Sequence, residues 1–313
     1  MKNFTAVHDV NSIQDLVNKA KAMKSEPLKY HNFGAGKTVV LLFFNPSLRT
    51  RLSTEKAAYN LGMSVMTMNA TQGWKLEFEE QVVMNADKAE HIKEAAQVIS
   101  QYADVIGMRS FPSLTDQAKD YQDELLNKLI RYASVPVLSL ESAIRHPLQS
   151  LTDALTISEY LPAHRPKVVL TWSPHPRQLP QAVANSFAEW MTNWGAVDLT
   201  IVQPEGFELK SSFTQGATIV HDQKFAFEGA DFVYAKNWSS YVHYGATPKQ
   251  DLDWMITPDK MSWTNNGKFM HCLPVRRNVV VSDAVLDSAA SLAIQQANNR
   301  TYAAQAVLHE LLS

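Results

Sequence analysis

Two hydroxyl residues and two arginines stand together in Asn45-Pro46-Ser47-Leu48-Arg49-Thr50-Arg51. The segment follows the apolar run Val39–Phe44 and leads into a helix whose first turn is predicted near Thr50. A helix N-terminus offers unbonded N–H groups and a partial positive charge, so Ser47, Arg49 and Thr50 would form with it a cradle for an anion of phosphate size. A capped helix with two surface arginines explains the same residues, and on this segment alone both interpretations stay open.

Four further groups of polar residues lie at the ends of predicted strands or at the starts of predicted helices. His146-Pro147-Leu148-Gln149 comes between a strand and a helix, and Arg109 ends a short strand. His271–Asn278 ends a later strand, and Gln296–Arg300 lies near the front of the last helix. Because ligands of open parallel sheets collect at the carboxyl ends of strands, we expect these groups to serve a ligand.

Strand-like and helix-like segments alternate along the chain, which is typical of parallel sheets covered by helices. The predicted class is α/β, with two domains that are each a mostly parallel sheet flanked by helices. We expect a first domain at 1–150, joined by the C-terminal helix of about 288–313, and a second domain at 151–287. The predicted helices are 13–23, 53–61, 90–102, 115–132, 146–161, 181–194 and 288–312, and the predicted strands are 39–44, 64–68, 105–108, 135–138, 168–171, 199–202, 232–235 and 269–271.

Composition excludes several classes of protein. The 313 residues carry 29 Lys and Arg against 31 Asp and Glu, so there is no basic excess of the kind that marks a nucleic-acid binder. The single cysteine, Cys272, excludes an internal disulfide framework and favours a reducing cytoplasm. The longest apolar run is far too short to cross a bilayer, and the first residues do not read as a secretory signal.

Nucleotide and metal sites find little support in the sequence. Gly34-Ala35-Gly36-Lys37-Thr38 looks like the end of a P-loop, but His31 stands where the first glycine is needed and the strand follows the segment instead of preceding it. No G-x-G-x-x-G lies between a strand and a helix, and the histidines include no H-E-x-x-H. We therefore predict neither a metal nor another cofactor.

The ordered set Ser47-x-Arg49-Thr50, His146-Pro147-x-Gln149 and His271-Cys272-Leu273-Pro274 resembles the transcarbamylases, the aspartate and ornithine carbamoyltransferase superfamily, over essentially the whole chain. The Cys-Leu form of the last motif resembles the ornithine branch. The serine-methionine-glycine motif of the ornithine enzymes is replaced here by Ala235-Lys236-Asn237-Trp238-Ser239-Ser240. Together with His175 in a proline-rich loop, this replacement is similar to the branch that acts on N-acetylornithine or N-succinylornithine.

The resemblance implies transfer of a carbamoyl group from carbamoyl phosphate to the δ-amine of an acylated ornithine, giving N-acylcitrulline and phosphate in arginine biosynthesis. Gln149 would either donate a hydrogen bond to the carbamoyl amide or accept one from it. The implied catalytic residues are Thr50, Arg109, His146 and Cys272. The implied carbamoyl phosphate contacts are Ser47, Leu48, Arg49, Thr50, Trp74, Arg109, His146, Gln149, Cys272, Leu273 and Arg300. The implied acceptor contacts are Glu90, Glu141, His175, Lys236 and Arg276.

The resemblance also implies a homotrimer in which a loop of the neighbouring subunit completes each active site. Trp74 matches the tryptophan that the N-acyl branch offers from that loop. The proline-rich loop 174–180 is implied to form a deep knot in the second domain. Some acetylornithine enzymes carry a carboxylated lysine where this chain has Val280, so that modification is not expected here.

Residue 90 bears on the identity of the acyl group. The motifs resemble those of the succinylornithine enzymes, which have a proline at this position, whereas this chain has Glu90, as the acetylornithine enzymes do. A second carboxylate at about 4 Å costs about 1 kcal/mol in water and about 4 kcal/mol at an effective dielectric near 20. The hypothesis is that Glu90 disfavours a succinyl group and moves the preference toward N-acetyl-L-ornithine.

The residues by themselves leave other functions open. A plain ornithine carbamoyltransferase would use the same first motif, and so would a non-catalytic paralogue or a structural subunit that only binds carbamoyl phosphate or phosphate. The joint presence of His146, Gln149, Cys272 and Arg300 argues against a non-catalytic protein.

Overall fold

The computed structural model describes residues 1–70, 74–246 and 251–313. These residues form two compact units. The first unit comprises Met1–Leu148 and Arg300–Ser313, and the second comprises Gln149–Asn299.

The first unit is built on parallel strands. Its strands are β1 (Thr38–Phe43), β2 (Ser64–Asn69), β3 (Leu76–Glu77), β4 (Glu90–His91), β5 (Val105–Arg109) and β6 (Val137–Glu141). Four of them form one sheet in the order β2-β1-β5-β6, and β3 pairs with β4 separately. Strands β5 and β6 are buried throughout and β1 nearly so, as expected for parallel strands covered on both faces, whereas the edge strand β2 is largely exposed.

One helix precedes these strands, and others connect them. The helices of the first part of the chain are α1 (Ile13–Ser25), α2 (Leu48–Leu61), α3 (Ile92–Tyr102), α4 (Gln117–Tyr121) and α5 (Glu124–Tyr132), with a 3-10 turn at Val7–Asp9. The next helix, α6 (Pro147–Ser158), starts in the first unit and continues into the second.

The second unit contains a five-stranded parallel sheet. Its strands are β7 (Lys167–Trp172), β8 (Asp198–Val202), β9 (Thr218–Val220), β10 (Phe232–Lys236) and β11 (Lys268–Met270), in the order β11-β10-β7-β8-β9. The remaining helices are α7 (Ala182–Trp194), α8 (Gln223–Phe227), α9 (Pro258–Met261), α10 (Asp283–Leu286) and α11 (Ala293–Leu312), with 3-10 turns at Ser211–Phe213 and Leu252–Trp254.

Three predicted helices differ from the structure. Helix α2 begins at Leu48, well before 53, because Ser47 caps it with its side chain. The helix predicted over 115–132 is two helices, since Asp123 takes a left-handed φ of 50° and its buried carboxylate accepts hydrogen bonds from Ser142 and Ala143. The last helix begins at Ala293, well after 288.

The late start of α11 has a clear cause in the sheet. The N–H of Phe269 donates to the carbonyl oxygen of Ala290 at 2.9 Å, and the N–H of Leu292 donates to the carbonyl oxygen of Phe269 at 2.8 Å. Residues 290–292 therefore pair with β11 instead of opening the helix. The prediction did not include the short strands β3, β4 and β9 or the short helices α8, α9 and α10, and the other predicted elements lie within a few residues of their predicted bounds.

Among the described residues, no helix is long and apolar enough to span a membrane.

Candidate active site

The N-terminus of α2 carries the first group of predicted site residues. Ser47 caps the helix, because its Oγ accepts a hydrogen bond from the N–H of Thr50 at 3.3 Å. Leu48 begins the helix with an exposed side chain, and Arg49 follows it half-buried. Thr50 is buried, and its Oγ1 accepts a hydrogen bond from Nη2 of Arg300 at 2.7 Å. The first turn of α2 and the Arg300 guanidinium therefore lie together.

Arg109, the last residue of β5, is held on two sides. Its Nη1 donates to the carbonyl oxygens of Asn45 at 3.0 Å and Pro46 at 2.7 Å, immediately before the α2 cap. Its Nε and Nη2 donate to Oε2 of Glu141 at 3.1 and 2.9 Å. The guanidinium also lies 4.3 Å from the ring centroid of Phe111, close enough for a cation–π contact. These contacts hold Arg109 at the junction between β1 and α2.

Glu141 and His146 extend this group. Glu141 ends β6 and is buried, and its Oε2 lies 3.8 Å from Nε2 of His146. His146 is also buried and directly precedes α6. The Glu141 carboxylate thus holds the Arg109 guanidinium and lies near the His146 ring, beyond hydrogen-bond distance.

The charges of this group favour an anion. Arg109 and Arg300 are both buried and each carries a full positive charge, and the N-terminus of α2 adds a partial one. Glu141 offsets one of these charges. The remaining positive charge, with the hydroxyls of Ser47 and Thr50, can hold a phosphate-sized anion and stabilise negative charge that develops on an oxygen.

Two predicted residues of the first unit lie outside the α2 group. Trp74 is half-buried and packs on the apolar cluster that includes Val40 and Leu126. Glu90 is half-buried in β4 and pairs with Leu76. Within the described part of the chain, neither hydrogen-bonds to the residues around the α2 cap.

Three predicted acceptor contacts lie at the end of a strand of the second sheet or after one. Lys236 ends β10, is buried, and donates from Nζ to the carbonyl oxygen of Asn237 at 2.9 Å. His175 follows β7, and its Nδ1 lies 2.8 Å from the carbonyl oxygen of Arg177. Arg276 follows β11 and is exposed.

The surroundings of His175 set its protonation. Burial lowers the pKa of His175 below its ordinary value of 6.5. The backbone of Arg177 acts in the opposite direction, but the positive charges of Lys236, Arg276 and Arg177 lower the pKa further. A neutral His175 beside two cationic side chains leaves this part of the second unit suited to a carboxylate.

Gln149, Cys272 and Leu273 also belong to the second unit. Gln149 is buried on α6, and its Nε2 donates to Oδ1 of Asp153 at 2.7 Å. Leu273 has a left-handed φ of 53°, and its N–H donates to Nδ1 of His271 at 2.9 Å. Cys272 is half-buried, and its side chain is a thiol that forms no disulfide.

Sequence reasoning missed two side chains that support these residues. Asp153 holds Gln149, and its position four residues later on the same helix face was a usable signal. Asn45 accepts a hydrogen bond from the N–H of Phe111 at 2.7 Å, a pairing across the sheet that no local pattern indicates. Over the residues the structure describes, no cluster of three or more His, Cys, Asp or Glu side chains could hold a metal ion.

Two family matches cover most of the chain. Residues 2–159 match the aspartate/ornithine carbamoyltransferase, carbamoyl-P binding domain, and residues 180–311 match the aspartate/ornithine carbamoyltransferase, Asp/Orn binding domain.

Individual proteins give a finer comparison. The chain is 50% identical to the N-succinylornithine carbamoyltransferase of Bacteroides thetaiotaomicron, over 100% of this chain and 99% of that protein. It is 39% identical to the N-acetylornithine carbamoyltransferase of Xanthomonas axonopodis pv. citri, over 89% of this chain and 87% of that protein. A solved N-acetyl-L-ornithine transcarbamylase with one glutamate replaced by serine, complexed with carbamyl phosphate and N-succinyl-L-norvaline, superposes with a TM-score of 0.93 at 37% identity, covering 99% of this chain and 100% of that one.

The two α/β units and these matches define a carbamoyltransferase: the chain belongs to the aspartate/ornithine carbamoyltransferase family. Within that family it is an enzyme of the N-acylornithine carbamoyltransferase branch, so both the predicted fold class and the predicted branch are confirmed.

Proposed function

We propose that this enzyme transfers the carbamoyl group of carbamoyl phosphate to the δ-amine of an N-acyl-L-ornithine, giving N-acyl-L-citrulline and phosphate. The observation that carries the proposal is the buried pair Arg109 and Arg300, hydrogen-bonded around the capped N-terminus of α2 in a chain of this family. We further propose that the reaction serves arginine biosynthesis in the cytoplasm.

Carbamoyl phosphate needs two kinds of stabilisation, and the first unit supplies groups for both. Ser47, the N–H of Leu48, Arg49, Thr50 and Arg109 would neutralise the phosphate, whose charge increases as it leaves. Thr50, Arg109, His146 and Arg300 would donate hydrogen bonds to the carbonyl oxygen, which becomes an oxyanion in the tetrahedral intermediate.

Groups of the second unit would orient the carbamoyl amide and the acceptor. Gln149 would contact the carbamoyl amide, and Cys272 with the carbonyl of Leu273 would orient the attacking amine. Because a positioned amine needs no covalent enzyme intermediate, Cys272 acts as a polar contact and not as a nucleophile.

The acceptor presents a carboxylate, and cationic groups of the second unit would receive it. Lys236 and Arg276 would supply positive charge, and His175 would supply a neutral imidazole beside them. Glu141 is proposed as a further acceptor contact, in addition to its bonds with Arg109.

We propose that Glu90 favours an acetyl over a succinyl group on the acceptor. The Glu90 side chain makes no hydrogen bond or ion pair with any residue in the described ranges, so its negative charge is not neutralised there and would repel a succinyl carboxylate. The solved relative bound N-succinyl-L-norvaline with a glutamate replaced by serine, which agrees with this reasoning.

The acyl preference is tested with Glu90→Gln and Glu90→Pro. Citrulline-type product is measured from carbamoyl phosphate with N-acetyl-L-ornithine, N-succinyl-L-ornithine and plain L-ornithine. Glu90→Gln keeps size and backbone but removes the charge, and should raise kcat/KM for the succinyl substrate about tenfold or more relative to the acetyl one, an effect of about 1.4 kcal/mol. An unchanged preference in both variants would contradict the role of Glu90.

The same assay separates the alternative functions. Turnover of L-ornithine above both acylated substrates would make the protein a plain ornithine carbamoyltransferase. Binding of carbamoyl phosphate with no product from any of the three amines would identify a non-catalytic paralogue.

We also propose a homotrimer in which Trp74 contributes to the active site of the neighbouring subunit. The support is an exposed apolar surface beside the α2 cap, made of Leu48 (68% exposed), Leu52 (57% exposed), Met66 and Met68. Leu48, Leu52 and Met68 line a cleft of about 650 Å³ in the first unit. The deep knot around 174–180 remains an implication of the family resemblance.

A further inference from the structure

One buried carboxylate in the second unit holds two glutamine amides. Asp153 is fully buried on α6, one turn after Gln149. Its Oδ1 accepts a hydrogen bond from Nε2 of Gln149 at 2.7 Å and another from Nε2 of Gln296 at 2.6 Å. An ionised carboxylate can only accept hydrogen bonds, so both glutamines must turn their NH2 groups toward it.

The orientation of Gln296 is fixed from its other end as well. Its Oε1 accepts a hydrogen bond from the N–H of His271 at 2.9 Å, and a backbone N–H can only donate. Nδ1 of His271 in turn accepts the N–H of Leu273 at 2.9 Å. A continuous chain of hydrogen bonds therefore joins Gln149, through Asp153 and Gln296, to the loop at 271–273.

We propose that Asp153 is a positioning residue that sets the amide orientation of Gln149, so that the Gln149 carbonyl oxygen accepts a hydrogen bond from the carbamoyl NH2. Through Gln296, Asp153 also ties Gln149 to the loop that carries Cys272 and Leu273. This inference rests on the proposed carbamoyl transfer.

The chemical consequence is recognition of the carbamoyl NH2 itself. A Gln149 held with its NH2 on Asp153 presents an acceptor to a donor, whereas a rotated amide would present one NH2 group to another. Acetyl phosphate has nearly the same shape as carbamoyl phosphate but carries a methyl group in place of the NH2. The network should therefore strengthen binding of carbamoyl phosphate and leave binding of acetyl phosphate almost unaffected.

The test compares Asp153→Leu with Asp153→Asn in the full-length enzyme. The measurements are kcat/KM for carbamoyl phosphate and the inhibition constant of acetyl phosphate. Asp153→Leu removes the acceptor for both glutamines and should lower kcat/KM about 10- to 100-fold, while the inhibition constant changes less than about threefold. Asp153→Asn keeps one carbonyl oxygen for both NH2 groups and should retain kcat/KM within about fivefold.

A double-mutant cycle shows whether Asp153 acts through Gln149. In a Gln149→Ala background, adding Asp153→Leu should lower kcat/KM by a further factor of less than about three, because the Gln149 amide that Asp153 orients is already absent. An equal loss of affinity for both phosphates, or fully additive losses in the cycle, would overturn the proposal in favour of a general structural role.

A second pair of variants covers the case in which Asp153→Leu does not fold. Gln149→Glu sets a second carboxylate against Asp153 and should be strongly impaired. Adding Asp153→Asn lets the new NH2 donate to Glu at position 149 while its oxygen still accepts from Gln296, and should restore kcat/KM at least about tenfold. If kcat/KM does not recover in the double variant, the proposal for Asp153 is wrong. If the parent enzyme does not transfer the carbamoyl group at all, the proposed function is wrong instead.

Discussion

Arg109 shows how a single side chain of the candidate site is shaped by its partners. Its guanidinium donates to two carbonyl oxygens before the α2 cap and to the carboxylate of Glu141, and it faces the Phe111 ring. The sequence predicted Arg109 as a site residue because it ends a strand. It could not predict Glu141 as its partner, since the two residues are 32 positions apart and meet only because β5 and β6 are adjacent.

Replacing Arg109 by lysine should abolish most activity. A lysine keeps the charge but cannot bridge the carbonyl oxygens and Glu141 with a planar fork, so we expect kcat/KM for carbamoyl phosphate to fall about 100-fold or more. The matched control is Arg131→Lys, an exposed arginine over the Tyr132 ring, which should stay within about twofold. Equal effects of the two changes would argue against a specific role of Arg109.

His175 predicts a pH dependence of stability. Its folded pKa lies below 6.5 because burial and nearby cations disfavour the protonated ring. The unfolded chain then binds more protons, so this contribution to stability is complete above pH 6.5 and is lost as the pH falls through the window below it. His175→Gln should therefore lose less thermal stability than the parent enzyme between about pH 7.5 and about pH 5.5.

The control for this measurement is His243→Gln, because His243 is an exposed histidine of the same unit. That variant should follow the parent enzyme at both pH values. If His175→Gln also follows the parent, the proposed protonation behaviour of His175 is wrong.

At the scale of elements, α2 depends on how it starts and how it ends. Ser47 caps its first turn, and Gly62 closes it with a left-handed φ of 79°. The sequence indicated the end at Gly62, because glycine favours a left-handed C-terminal position, but it placed the start at 53 and so missed the cap at Ser47. The break at Asp123 was not predictable in the same way, since it depends on hydrogen bonds to Ser142 and Ala143, which come from a distant part of the chain.

Gly62→Ala should destabilise the first unit strongly. An alanine there would adopt a left-handed φ, which costs about 1–2 kcal/mol. Its Cβ would also lie 1.9 Å from the carbonyl oxygen of His31, which adds about 1–3 kcal/mol for the forced shift. Gly36 has a similar φ of 77°, but a Cβ there would have no atom within 4 Å. Gly36→Ala should therefore lower the free energy of unfolding only by the cost of the left-handed φ. Urea unfolding of both variants measures the difference, and similar losses would show that the clash is relieved at little cost.

At the scale of the whole molecule, each of the two units carries its own group of predicted site residues. The first unit holds Arg109, Arg300 and the α2 cap, and the second holds Lys236 and His175. The first unit also exposes Leu48 and other large apolar side chains, a surface of the kind that subunit contacts cover.

The proposed trimer with shared active sites predicts complementation. Arg109→Ala and Trp74→Ala should each be nearly inactive alone. Refolding the two together should give mixed trimers that each contain one intact site, which restores about a quarter of the parent activity. Size-exclusion chromatography with light scattering gives the assembly state, and a trimer without recovery on mixing would place Trp74 outside the neighbouring active site.

The sequence by itself determined the α/β class, the family and the predicted site residues, because apolar periodicity and short contiguous motifs are local features of a chain. Only the tertiary structure decided how those residues are held: Thr50 by Arg300, Arg109 by Glu141, and Gln149 by Asp153 with Gln296. The physical reason is that a buried polar group must find a hydrogen-bond partner wherever the fold brings one, and that partner usually comes from a distant part of the chain.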